Sequence, residues 1–122
     1  MNVLIVEENP ALGALWENHL CKQGGKVTLA ESEDRALAIL HDFEPDVIVA
    51  DLDLPGSSAM AVADYAAYRY PAARVIFVTA STFFSDGSIF AMSPNACAFL
   101  PTRTPPEDLA ALVEFHGRRE GA

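Results

Sequence analysis

Positive charge is scarce in this sequence, and lysine is especially rare. The 122 residues include 8 lysines and arginines against 17 aspartates and glutamates, a formal net charge of −9 at pH 7. Nonspecific nucleic-acid binding depends on lysine and arginine to neutralise phosphates, so this balance disfavours a nucleic-acid partner. The only lysines are Lys22 and Lys26.

Cysteines and long apolar runs are also few. Cys21 and Cys97 have neither CxxC nor zinc-ligand spacing, which predicts free thiols in a reducing cytoplasm. No apolar run reaches membrane-spanning length, and the N-terminus lacks the basic flank of a signal peptide. With 51% apolar residues, the chain can still bury the core of one domain. We therefore expect a cytoplasmic single domain over residues 1–122, with no membrane partner.

Five short apolar runs predict β-strands, and segments with helical spacing separate them. The strands are predicted at 2–6, 26–30, 47–50, 74–78 and 96–100, and the more polar run at 26–30 suits a sheet edge. Four helices are predicted from their N-caps: Asn9, Ser32, either Ser57 or Ser58, and Thr104. Thr104 begins a capping box in which Pro105 takes the first helical position. A further helix is predicted at 81–94. This alternation predicts an α/β fold, with a five-stranded parallel sheet and five helices on its two faces.

Polar side chains follow the predicted strands at their carboxyl ends, where this kind of fold binds its ligands. They are Glu7 and Glu8 after the first strand, Asp51 and Asp53 after the third, Thr79 after the fourth, and Thr102 with Arg103 after the fifth. Carboxylates that meet in one crevice repel each other unless a cation joins them, and oxygen ligands suit magnesium. Phosphoryl transfer to Asp51 would need this cation, the carboxylate nucleophile and a donor such as the Thr79 hydroxyl.

These residues resemble the receiver domain of two-component response regulators, and the resemblance covers essentially the whole chain. The features that carry it are the acidic pair Glu7-Glu8, the D-x-x-L-P-G signature formed by Asp51, Leu54, Pro55 and Gly56, the pair Thr79-Ala80, and Phe99 in the fifth strand. The resemblance implies a flavodoxin-like, CheY-like fold with strand order 2-1-3-4-5. Because the sequence has no repeat, low-complexity tract or linker, we expect no output domain. It also implies that the chain is not an enzyme, beyond phosphoryl transfer to its own aspartate.

Site roles follow from the resemblance, position by position. Asp51 would be the phosphoacceptor, Thr79 the switch hydroxyl and Phe99 the switch aromatic. Magnesium would be held by Glu7, Glu8, Asp51 and the backbone carbonyl of Asp53. The phosphoryl group would come from a histidine kinase or a phosphotransfer protein. A downstream protein, or a second copy in a homodimer, would bind one face of the domain. That face is built from the predicted helix at 81–94, the fifth strand and the last helix.

The sequence departs from the family pattern most clearly after the fifth strand. The family pattern is F-L-x-K-P, but this chain reads FLPTR at 99–103, so Thr102 occupies the lysine position. The family also has aspartate more often than glutamate at Glu8 and glycine more often than alanine at Ala59. The peptide after the lysine position is often cis in the family, but without a following proline we expect it to be trans here.

Two other functions are compatible with the fold. The missing lysine suggests a degenerate pseudo-receiver, which would act as an interaction module independent of phosphorylation. A flavodoxin-like cofactor carrier would need a phosphate-binding loop after the first strand. The loop at 7–10 is acidic and has no glycine, so it would repel an anion, which disfavours this function.

Overall fold

Strands and helices alternate through the part of the chain that the computed structural model describes, residues 1–54, 56, 58–80 and 95–117. The strands are β1 Asn2–Val6, β2 Lys26–Ala30, β3 Val47–Asp51, β4 Arg74–Thr79 and β5 Ala96–Pro101. The helices within these ranges are α1 Pro10–Lys22, α2 Glu33–Asp42, α3 Ala59–Arg69 and α4 Pro106–Gly117. The predicted helix at 81–94, Pro55 of the signature and the alternative cap Ser57 lie outside the described residues.

All five strands pair in parallel, in the order β2-β1-β3-β4-β5. This confirms the predicted flavodoxin-like topology and places the more polar strand β2 at an edge. The three inner strands, β1, β3 and β4, are buried on both faces because their side chains alternate between two apolar layers. One layer includes Leu4, Leu40, Ile48 and Phe77, and the other includes Ile5, Trp16, Val49 and Leu109.

Three helices begin at the predicted N-caps. The side chain of Asn9 accepts hydrogen bonds from the amides of Ala11 and Leu12, at 3.0 and 3.2 Å. Ser32 and Ser58 accept from the amides three residues later in the same way. Each cap satisfies amides that have no partner within the helix.

The predicted start of the last helix was wrong by one residue. The helix begins at the carbonyl of Pro105, which accepts from the Leu109 amide at 3.1 Å, whereas the capping box placed the cap at Thr104. A residue that precedes proline is pushed out of the helical conformation, so Pro106 keeps Pro105 from being helical. The Thr104 hydroxyl donates instead to the Pro101 carbonyl at 2.6 Å and closes the turn after β5.

The last residue of α3 and the residue after it close the end of α2. The Tyr70 hydroxyl donates to the carbonyl of Leu40 at 2.6 Å, and the Arg69 guanidinium donates to the carbonyl of His41 at 2.8 Å. These carbonyls belong to the last turn of α2, where helical carbonyls lack an internal partner. The contacts therefore join α2 and α3 on one face of the sheet.

The register of the sheet brings the carboxyl ends of its strands to one edge. Val6 pairs with Ala50, Asp51 with Val78, and Thr79 with Pro101. The residues that follow these positions therefore share one crevice. Among the described residues, no helix is long and apolar enough to cross a membrane.

Candidate functional site

Asp51 is the last residue of β3 and lies at the centre of the crevice. It is 8% exposed, and its Oδ1 accepts a hydrogen bond from the Asp53 amide at 2.8 Å. The apolar residues of β3 bury the strand, and the turn after it supplies the amide. The carboxylate is thereby held in place at one oxygen.

Glu7 follows β1 and is buried beside Asp51. Its own amide donates to the Ala30 carbonyl at 2.9 Å, which extends the pairing with β2, and the residue is 3% exposed. Oε2 accepts from the Asn9 amide at 3.0 Å, whereas Oε1 is buried without a hydrogen-bond partner. The pKa of Glu7 is raised from 4.5 to about 7. Burial is the largest cause, and Asp51 adds to it through charge repulsion and through a hydrogen bond that only the protonated carboxyl group can donate, whereas the Asn9 amide opposes the rise.

These two buried carboxyl groups are suited to hold a divalent cation. The raised pKa of Glu7 and its unpartnered Oε1 indicate that a positive charge would stabilise this site. Oxygen ligands that leave room for waters are typical of magnesium. The described residues contain no group of three or more His, Cys, Asp or Glu side chains arranged to hold a metal, so water and backbone oxygens would complete the coordination. The full set of Glu7, Glu8, Asp51 and the Asp53 carbonyl stays a prediction.

Glu8 does not share the crevice in the way that Glu7 does. Its side chain is exposed, and no described hydrogen bond joins it to Asp51. The chain bends at Glu8, just after β1, and of the two glutamates only Glu7 is buried.

Thr79 lies at the end of β4, and the Asp53 side chain binds it. The Thr79 hydroxyl is 2.9 Å from Asp53 Oδ2 and 3.1 Å from Oδ1, and the Ala80 amide donates to Oδ2 at 2.7 Å. Thr79 itself is buried, at 2% exposure. The resemblance assigned Asp53 a role only through its backbone carbonyl, so the contact of its carboxylate was missed. The only sequence signal for this contact is the position of the two residues at the ends of adjacent predicted strands. Asp53 lies just after the third strand, and Thr79 lies at the end of the fourth.

The other predicted site residues lie next to Thr79 along β5. The Thr102 amide donates to the Thr79 carbonyl at 3.0 Å, so the lysine position of the family pattern lies at this edge. Thr102 is half-buried and Arg103 is exposed. Phe99 pairs with Phe77 in the register and packs against the core. No described peptide bond is cis, which agrees with the prediction for the peptide after Thr102.

Neither lysine of the chain can replace the missing one. Lys22 ends α1 and Lys26 begins β2. Both positions lie at the amino edge of the parallel sheet, and the crevice is at the carboxyl edge. The basic residue closest in sequence to the lysine position is Arg103, which directly follows Thr102.

Comparison with known proteins identifies relatives over almost the whole chain. The sequence profile of the response regulator receiver domain matches residues 3–114. The DNA-binding transcriptional regulator NtrC of Salmonella typhimurium is 29% identical over 112 residues, which cover 92% of this chain and 24% of that protein. The chain spans between about a quarter and about half of the length of the curated relatives that it matches.

Solved structures share the fold. A CheY-like receiver domain protein from Methanospirillum hungatei superposes with a TM-score of 0.84 at 22% identity, covering 95% of this chain and 92% of that one. The response regulator protein TrrA of Thermotoga maritima, solved in complex with Mg(2+)-BeF, has a TM-score of 0.80 at 22% identity and covers 94% of this chain and 97% of that one. At this identity the similarity shows the architecture alone.

Proposed function

The chain belongs to the response regulator receiver domain family of two-component systems, and on that premise we propose that Asp51 accepts a phosphoryl group from a phosphohistidine. The donor would be a histidine kinase or a phosphotransfer protein. The observation that carries the proposal is the placement of Asp51, buried at the end of β3 beside a second buried carboxyl group with an unpartnered oxygen.

The reaction would be a direct transfer between the two proteins. An Asp51 carboxylate oxygen attacks the phosphorus, a new O–P bond forms, and the P–N bond to the donor imidazole breaks. The electron pair of that bond stays on the imidazole nitrogen, so the product is an acyl phosphate. The Asp53 amide holds Asp51 Oδ1 at 2.8 Å and leaves the other carboxylate oxygen to react.

Magnesium, when bound, would neutralise charge on the phosphoryl oxygens. Glu7 and Asp51 fit this cation best, and we propose that Glu8 and the backbone carbonyl of Asp53 complete the protein ligands. The Thr79 hydroxyl would donate to a phosphoryl oxygen.

The signal would pass on by protein–protein contact. We propose that the face formed by β5, α4 and the predicted helix at 81–94 binds a downstream protein or a second copy of the domain, with Phe99 in β5 linking that face to the crevice. Curated relatives are described as transcriptional regulators that include DNA-binding ones. The net charge of −9 favours a protein partner for the domain itself.

A pseudo-receiver is the second candidate function, and Thr102 at the lysine position favours it. A neutral hydroxyl cannot pair with a phosphoryl group as an ammonium would. In this case Asp51→Asn would leave signalling in cells unchanged. Loss of signalling by a folded Asp51→Asn variant would eliminate this candidate.

Beryllofluoride tests the first candidate, because it coordinates an aspartate oxygen in the position of a phosphoryl group. With magnesium present, we expect its titration to shift the amide resonances of residues 51–53 and 79–80 in the intact chain. The Asp51→Asn variant should show none of these shifts. Shifts that persist without the Asp51 carboxylate, or no shifts in the intact chain, would refute the assignment of Asp51.

A further inference from the structure

The Asp53 carboxylate has no role in the function proposed above, yet it contacts two donors at the edge of the crevice. It accepts from the Thr79 hydroxyl at 2.9 Å and from the Ala80 amide at 2.7 Å. The amide of the same residue donates to Asp51 at 2.8 Å. One residue therefore connects the proposed phosphoacceptor with the proposed switch hydroxyl.

The two donors lie where a phosphoryl group on Asp51 would need them. Strands β3 and β4 are neighbours, and Asp51 pairs with Val78, the residue before Thr79. The Thr79 hydroxyl at the end of β4 and the Ala80 amide just after it therefore lie at the same edge of the sheet as the Asp51 carboxylate, on the neighbouring strand. Oxygens of a transferred phosphoryl group are stabilised by preorganised donors of this kind. Here an anion of the chain itself already engages both.

We propose that the Asp53 carboxylate is an internal occupant of the phosphoryl pocket. It binds the donors of Thr79 and Ala80 in the unphosphorylated domain and must release them before a phosphoryl group on Asp51 can use them. The proposal rests on the proposed function, since it takes Asp51 as the acceptor. Bonds between an anion and N–H or O–H donors are stronger than neutral ones, so the carboxylate competes with the phosphoryl group and repels it.

The competition also bears on the missing lysine. With Thr102 at the lysine position, no lysine offsets the carboxylates of Asp51 and Asp53 at this edge. Thr79 is held by its contact with Asp53 even without phosphate. The unphosphorylated domain therefore already has its switch hydroxyl engaged by an anion.

The test compares beryllofluoride binding, in the presence of magnesium, by the intact chain and by Asp53→Ala. The alanine variant keeps the backbone carbonyl at position 53, so the proposed metal ligands are unchanged. Without ligand, the Ala80 amide resonance should move upfield in the variant because its bond to a carboxylate is lost. Beryllofluoride should bind at least about tenfold more tightly, the gain expected if the release of even one of the two charge-assisted hydrogen bonds is no longer needed.

Two further variants control this comparison. Asp53→Asn keeps a neutral acceptor of the same shape, so its affinity should lie between the other two, and it carries the test if Asp53→Ala does not fold. Asp64→Ala makes the same change of charge at an exposed position on α3. It should leave the Ala80 resonance unchanged and alter the affinity far less.

The outcomes separate this inference from the proposed function. Tighter binding by the Asp53 variants than by Asp64→Ala supports the internal occupant. If the intact chain binds beryllofluoride and the Asp53 variants bind no more tightly, the inference is overturned and the proposed function stands. If none of the proteins binds beryllofluoride, the proposed function fails and the inference fails with it. An Ala80 resonance that is the same in all variants would also overturn the inference.

Discussion

The buried carboxyl group of Glu7 makes the stability of the domain depend on pH, and Glu7→Gln should remove that dependence. The pKa of Glu7 is raised from 4.5 to about 7, chiefly by burial. Between these pH values the folded protein keeps a proton that the unfolded chain releases. The stabilisation is therefore complete below pH 4.5 and is lost as the pH rises through about 7.

The size of the effect follows from the pKa difference. A rise from 4.5 to about 7, at about 1.4 kcal/mol per pKa unit, corresponds to at most about 3.5 kcal/mol of unfolding free energy. Water at the edge of the crevice screens part of this, so we expect about 2 kcal/mol. Glutamine matches the protonated carboxyl group, because its carbonyl can accept from the Asn9 amide and its NH₂ group can donate to Asp51. At pH 8 the variant should be more stable than the intact chain by about 2 kcal/mol, and at pH 5, just above the unfolded-state pKa of 4.5, the difference should fall below about 1 kcal/mol.

Urea unfolding at pH 5 and pH 8, without divalent cations, measures this difference. Trp16 is the only tryptophan and is 1% exposed, so its fluorescence reports the loss of the core. Exposed Glu31 supplies the matched control, since Glu31→Gln makes the same change of charge and should leave the pH dependence unchanged. Magnesium should stabilise the intact chain at pH 8 but not Glu7→Gln. Equal stability of Glu7→Gln and the intact chain at both pH values would refute the argument.

Two stability predictions test the packing that supports the site. Tyr70→Phe removes the hydroxyl that donates to the Leu40 carbonyl and should lower the unfolding free energy by about 1 kcal/mol. Its control is Tyr68→Phe, at an 88% exposed position, which should have no measurable effect in the same urea titration. Phe77→Ala opens a cavity in the core and should lower the unfolding free energy by about 3–5 kcal/mol. Phe115→Ala, at a 71% exposed position, is the control. Similar losses of unfolding free energy in both variants would contradict the assignment of the core.

The sequence predicted the sheet well because its strands are continuous apolar runs. β1 and β2 have the predicted bounds, and β3, β4 and β5 each extend one residue further. Such runs, rich in β-branched residues and bounded by Pro, Gly and Asn, are typical of inner parallel strands. The start of α4 was missed because two adjacent prolines compete for the first helical position, and the capping pattern alone does not decide between them.

The candidate site was predicted less completely, because side-chain direction depends on neighbours that are distant in the sequence. The adjacent residues Glu7 and Glu8 look equivalent in the sequence, yet only Glu7 is buried beside Asp51. Asp53 was assigned through its backbone, whereas its carboxylate binds Thr79, 26 residues further along the chain. That contact requires the ends of β3 and β4 to be adjacent, which the local sequence does not specify.

Covalent transfer to Asp51 is the central claim, and a small phosphodonor tests it most directly. The intact chain is incubated with acetyl phosphate and magnesium, and its mass is measured before and after treatment with hydroxylamine, which cleaves acyl phosphates. We predict the addition of one phosphoryl group that depends on magnesium, is removed by hydroxylamine and is absent in Asp51→Asn. An unchanged mass in the intact chain, or equal labelling of Asp51→Asn, would contradict the account.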